Sequence, residues 1–177
     1  SGSPAEKTAF EMMGEILTEF KDFDNAFESY KNAFLLSREN GKYAVADGLK
    51  NLCIAGEDLG EDMQEYYSRI SRLVEELPPA ESCSLRFSFA AAARKRRNYA
   101  NEYRWIEEIV SASDCPEEIF SAAVSRLSEM NMHLDYAGNP DAAALTAADS
   151  AVEAALAVEK GDFAPIINWL TENIWQY

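Results

Sequence analysis

Residues 20–30 read FKDFDNAFESY, and residues 160–170 read KGDFAPIINWL. Both spell a polar turn, an aromatic, and then apolar residues at helical spacing, so the chain reads as helices joined by very short turns. Outward from these two turns, other breakers cut the chain into helix-sized pieces. Gly41 and Gly161 fall just past helix ends, where a left-handed residue closes the last turn. Pro78-Pro79 cannot continue a helix. Asn139-Pro140 reads as N-cap and N1, Asp114-x-x-Glu117 as a capping-box variant, and Asp162 as the N-cap of the last helix. The pattern predicts helices over 7–20, 23–39, 42–58, 61–77, 80–97, 99–112, 116–136, 140–159 and 163–175. Ala and Glu are abundant and period-two runs of Val, Ile and Thr are absent, so the expected fold class is all-α.

The turns inside successive pairs fall at Asp22, Gly60, Asn98 and Asn139, separations of 38, 38 and 41. A fixed period in this range, filled by helical hairpins, marks a solenoid in which each hairpin buries its apolar face only by stacking on the next. Residues 10–17 supply Phe10-x2-Met13-Gly14-x2-Leu17, followed by Ala26-x3-Tyr30 and Ala33. This unit resembles the tetratricopeptide repeat, whose first helix carries W-x2-L-G-x2-Y and whose second carries A-x3-F. Later units follow the pattern more loosely: Leu49-x2-Leu52-Cys53-x2-Gly56, Phe89-Ala90 with Tyr99 and Tyr103, and Leu127-x2-Met130-Asn131-x2-Leu134 with Ala143-x3-Ala147. The second unit departs from it, with Glu65 and Arg69 where Ala and an aromatic belong. The resemblance implies a right-handed α-α superhelix of about four helical hairpins plus a C-terminal helix, in a long-helix variant of the family.

SGS and Pro4 at the start read as a tag scar, so residues 1–4 are set aside and 5–177 are expected to form a single repeat domain. The last helix carries Ile166, Ile167, Trp169, Leu170, Ile174 and Trp175, more apolar surface than a solvent-facing cap needs. Either it packs on the fourth hairpin, or a further repeat covers Trp175 and Tyr177.

Net charge is −15. Residues 1–80 sum to −8, residues 81–111 to +2 and residues 112–177 to −9. A basic run, Arg94, Lys95, Arg96 and Arg97, thus lies between acidic flanks. It reads either as a site for an anionic group or as a helix C-terminus salt-bridged to those flanks. A polyanion such as nucleic acid is disfavoured by the overall charge. Cys53, Cys83 and Cys115 are odd in number and have neither disulfide-framework nor zinc spacing, which points to a reducing, intracellular, cytoplasmic setting. The alanine-rich stretch 142–158 carries Asp149 and Glu153 and reads as a packed helix, so no membrane span is expected. His133 stands alone and no phosphate-cradling glycine motif occurs, so neither an enzyme nor a cofactor is expected.

In the tetratricopeptide family the first helix of each pair lines a concave groove. The resemblance therefore implies a groove showing Thr8, Glu11, Glu15 and Thr18, then Asp47, Lys50, Asn51, Ile54 and Glu57. Ser84, Phe87, Ala91 and Arg94 would follow, and then Ser125, Ser128, Met132 and Asp135. The basic clamp with which chaperone-binding members hold a terminal carboxylate is missing, and acidic residues stand in the first unit instead. The expected function is a protein-interaction module or scaffold holding a partner's peptide or helix, with basic side chains favoured at the acidic end. A sensor or regulatory arm of a larger protein, or homo-oligomer formation through the C-terminal helix, are the alternatives.

Overall fold

The computed structural model describes residues 3–38 and 46–173. Gly41, the first residues of the helix expected from 42, and Ile174, Trp175 and Tyr177 lie outside the described residues, as do Ser1 and Gly2. Among the described residues the secondary structure is helical: α1 (Pro4–Glu19), α2 (Phe23–Arg38), α3 (Ala46–Asp58), α4 (Gln64–Glu75), α5 (Pro79–Lys95), α6 (Tyr99–Ser111), α7 (Glu117–Asn131), α8 (Ala142–Glu159) and α9 (Ala164–Asn173). The chain divides into two compact units, Ser1–Leu85 and Arg86–Tyr177.

In the first unit α1 runs along α2, both pack on α3, and α3 meets α4. Its core is Ala26, Phe27, Tyr30, Ala33 and Phe34 of α2 with Leu49, Leu52 and Cys53 of α3 and Ile70 and Val74 of α4. The spacing of the buried α2 positions is the i, i+4, i+7 stripe that one helix presents to a core. Arg69 takes the place of an aromatic. Its guanidinium lies 3.9 Å from the centre of the Phe27 ring and pairs with Asp24 at 3.1 Å and Glu28 at 2.8 Å. A cation over an aromatic face covers it much as a second ring does.

In the second unit α6 packs on α7 and α8 on α9. Trp105 stacks on Phe89 with ring centres 5.0 Å apart, and Tyr99, Met130 and Leu145 form a buried cluster flanked by Tyr103.

The helix ends explain the two stretches at residues 20–30 and 160–170. At Lys21 the backbone turns left-handed (φ 62°), its N–H donates to Thr18 O, and the Asp22 N–H donates to Leu17 O. Gly60, Arg97 and Gly161 repeat the same paired closure, with φ of 79°, 59° and 83°. Each is a two-bond cap that satisfies the last carbonyls of its helix. FKDF and KGDF are thus one device used twice.

Several boundaries differ from expectation. Ser3 and Pro4, set aside on sequence grounds, start α1: the Ser3 hydroxyl accepts the Glu6 N–H at 3.2 Å. The helix expected over 116–136 stops at Asn131, because the Asp135 carboxylate accepts the N–H groups of Ala137 and Asn139, each at 2.8 Å, and folds 132–141 into a tight loop. Pro140 pairs with Leu134 in an isolated bridge, so Asp141, not Asn139, caps α8, accepting from Ala143 and Ala144. Asp114 does not cap α7, whose N-cap is Pro116; instead Asp114 adopts φ 65°. Asp162 lies one residue before the cap position of α9, yet its Oδ1 still accepts the Ala164 N–H at 3.1 Å.

Candidate functional site

A cleft of about 550 Å³ opens in the first unit between α1 and α3. Its floor is Tyr30 of α2, 4% exposed. Two glycines make room for this ring. A Cβ on Gly14 would lie 2.7 Å from Tyr30 Cε1, and one on Gly48 would lie 2.6 Å from the same atom. Any larger residue at either place would collide with a ring held on both sides, so the glycines let the three helices close on it.

The walls are polar. Thr8, Glu11, Met12, Glu15, Thr18 and Glu19 face the cleft from α1, and Asp47, Asn51 and Ala55 from α3. Lys7 reaches Glu11 at 3.5 Å and Lys50 reaches Asp47 at 2.6 Å, both on their own helices. Glu15 and Glu19 add two exposed carboxylates. Burial pushes the Tyr30 hydroxyl above its ordinary range; a hydrogen bond with Thr18 acts the other way, and the nearby Glu15 and Glu11 carboxylates raise it further. The phenol therefore stays neutral at physiological pH and presents a polar tip at the base of an acidic cleft.

Of the groove positions expected from sequence, Glu11, Glu15, Asp47 and Asn51 share this cleft, together with Thr8 and Thr18. Lys50 and Ile54 are half-buried and do not line it, and Glu57 accepts a hydrogen bond from the Tyr67 hydroxyl of α4 at 2.9 Å. Phe87, Arg94 and Met132 belong to the second unit: Phe87 is half-buried and Met132 is exposed at the end of α7. Tyr30, Met12, Glu19 and Ala55 are lining residues that the sequence reading did not pick. Glu19 was within reach, since it follows Glu15 by the same four-residue step that separates Glu15 from Glu11.

The basic run is arranged around one carboxylate. Asp149 of α8 is 1% exposed and accepts from Arg94 at 2.6 and 3.2 Å, from Arg97 at 3.2 Å, from the Tyr99 hydroxyl at 3.1 Å and from Arg126 at 3.1 and 3.3 Å. Arg126 also grips buried Glu102 through both oxygens at 2.7 and 2.9 Å and meets Glu129 at 2.7 Å, while Arg97 reaches Glu153 at 3.1 Å. Burial alone would raise the Asp149 carboxyl, but the Arg94 hydrogen bond and the Arg126 and Arg94 charges outweigh it and hold the group below the ordinary carboxylate range. Arg94 and Arg97 thus pair with carboxylates of their own unit. These contacts match the reading of the run as a helix C-terminus bridged to acidic flanks.

Cys53 and Cys83 are buried and Cys115 half-buried, all unbridged. Burial pushes the Cys53 thiol far up, with Glu57 adding to it, so it is packing material rather than a nucleophile. His133 and Asp135 lie in the 132–141 loop rather than on a helix; the His133 carbonyl accepts the Asp141 N–H at 2.8 Å. Among the described residues no group of His, Cys, Asp or Glu is placed to hold a metal ion, and no helix is long and apolar enough to cross a membrane. Phe163, just before α9, and Ile167 and Leu170 on it are exposed. Comparison with family models, with curated proteins and with solved structures gives no match.

Proposed function

We propose that this chain is a non-enzymatic protein-interaction module, a tetratricopeptide-like solenoid that holds a basic segment of a partner protein in the α1/α3 cleft. The observation that carries this is the cleft itself: a concave space floored by a buried tyrosine and walled by Glu11, Glu15, Glu19 and Asp47. Carboxylates there attract lysine and arginine side chains over several ångströms, while exposed Met12 offers apolar area to their methylene stems. Reading the chain as an intracellular scaffold rests on its three unbridged cysteines and on the succession of helices joined by short turns.

The test is NMR titration of the isotope-labelled full chain with lysine- and arginine-rich peptides at low and moderate salt. Shifts concentrated at α1 and α3, shrinking as salt rises, are expected. The Glu11→Lys, Glu15→Lys, Asp47→Lys triple variant should lose them. Undiminished binding by that variant would place the interaction elsewhere and remove the proposal.

A further inference from the structure

Helix α1 is apolar on two faces. One packs on α2, where Gly14 meets the Tyr30 ring. The other, formed by Ala5, Ala9, Met12, Met13, Ile16 and Phe20, is turned to solvent. At ~3.6 residues per turn these six positions fall within an arc of roughly 100°, the width of the stripe with which a surface helix faces a core. Met12, Met13, Ile16 and Phe20 are 57%, 52%, 50% and 79% exposed. At ~200 Å² for a large side chain, that leaves roughly 480 Å² of apolar surface in water. A continuous stripe of this area, unlike scattered exposed side chains, marks an interaction surface.

The stripe is graded along the helix. Its N-terminal end is small, Ala5 and Ala9; its middle is Met12 and Met13; its C-terminal end is large, Ile16 and Phe20. Such a gradient fits a copy of itself turned end for end. In an antiparallel pair about an axis near Met12 and Met13, Phe20 and Ile16 of each copy lie over Ala5 and Ala9 of the other, and the flexible thioethers fill the centre. A parallel pair would set Phe20 on Phe20 and leave a gap between the alanines. The antiparallel pair also brings Glu15 and Glu19, which flank the stripe on its cleft side, towards the first turns of the other copy's α1, the positive end of its dipole. Two stripes together remove roughly 950 Å² from water, and the alanines and polar rim take the total past the ~1,000 Å² that a specific interface needs. The exposed face at α9 lacks this gradient, with large Phe163 before it and Leu170 towards its end.

From this we infer that the outer face of α1 is a self-association surface on which a second copy of this chain docks antiparallel, closing a two-fold dimer. The dimer goes beyond the cleft reading and does not rest on it, although Met12 borders both. Two acidic copies repel and their contact is apolar, so added salt strengthens the dimer. The same salt weakens a basic peptide in the cleft, and the two readings therefore fail separately.

The test is sedimentation equilibrium of the full chain from about 1 µM to about 1 mM, at low and moderate salt. The average mass should rise from that of one chain towards that of two and stop there. Ile16→Glu should weaken association at least about tenfold. Ala9→Glu should do the same, and at its exposed site it leaves the fold of the single chain undisturbed. Ile167→Glu on α9 should change nothing. Under mild oxidation Met13→Cys should form a disulfide with its own counterpart near the axis. Ala5→Cys, ~22 Å from its counterpart in the antiparallel pair, should not. A single-chain mass throughout, masses beyond two chains, association that survives both α1 variants or is lost only with Ile167→Glu, or bridging by Ala5→Cys as readily as by Met13→Cys would overturn the inference.

Discussion

The Tyr30 ring stands in the space that a side chain on Gly14 would need: a Cβ there would lie 2.7 Å from Cε1 and 2.8 Å from Cδ1. An aromatic on the second helix fits a notch on the first, and the same ring is used again by Gly48 of α3. One side chain thus ties three helices and floors the cleft.

Gly14→Ala and Gly48→Ala should each destabilise the protein, because the ring is enclosed and cannot swing away. Overpacking of this kind costs about 1–3 kcal/mol, of which the better helix propensity of alanine returns roughly 1. Gly56→Ala is the control. A Cβ there meets Met63, a flexible thioether side chain able to shift, so this variant should be neutral or stabilising by up to about 1 kcal/mol. Urea denaturation of the three variants separates the two outcomes, and Tyr30→Leu combined with Gly14→Ala should recover part of the loss.

Asp149→Asn should cost about 3 kcal/mol, since it removes the charge on which Arg94, Arg97 and Arg126 converge while leaving the guanidinium groups in place. The folded-state carboxyl is held below its unfolded value, so its contribution is present above about pH 4 and is lost as pH falls through the lowered value. Thermal melts between pH 6 and pH 3, followed by fluorescence of buried Trp105, should show a steeper acid loss in the parent protein than in Asp149→Asn. Parallel acid limbs would show that the carboxylate is not the group responsible.

Lys21→Gly should stabilise. A side chain at φ 62° carries a left-handed penalty of about 1 kcal/mol that glycine avoids, partly offset by the freedom glycine gives the unfolded chain. A rise in melting temperature of roughly 1–3 °C is expected. Arg97→Gly relieves the same backbone strain but removes the contacts to Asp149 and Glu153, so it should go the other way.

The first hairpin was legible because its fold depends on local patterns: small residues at Gly14, Ala26 and Ala33 and a large one at Tyr30, all at helical spacing. Arg69 was not, because the rule asks for a ring, and only the coordinates show a guanidinium lying on Phe27 with Asp24 and Glu28 to hold it. The early end of α7 turns on whether the Asp135 carboxylate bonds back to the Ala137 and Asn139 N–H groups, a competition between local hydrogen bonds and helix that helical periodicity does not reveal. The partners of Arg94 and Arg97 were out of reach for another reason. Asp149 is more than fifty residues away, and nothing in AADSAVEA marks its aspartate as buried. In the cleft, the expected wall positions on α1 and α3 came from the tetratricopeptide resemblance, which assigns the groove to the first helix of each pair; Tyr30 stands on the second helix and so falls outside that rule.

Asp22 serves two helices at once. Its N–H finishes α1 by donating to Leu17 O, and its carboxylate starts α2 by accepting the Asn25 N–H at 3.4 Å and the Asn25 side-chain amide at 2.8 Å. Asn98 does the same between α5 and α6, donating to Ala93 O and accepting the Asn101 N–H. Each joint is three residues long, and its last residue both closes one helix and opens the next. A substitution that removes the side-chain cap at either place therefore acts at a corner between two helices rather than within one.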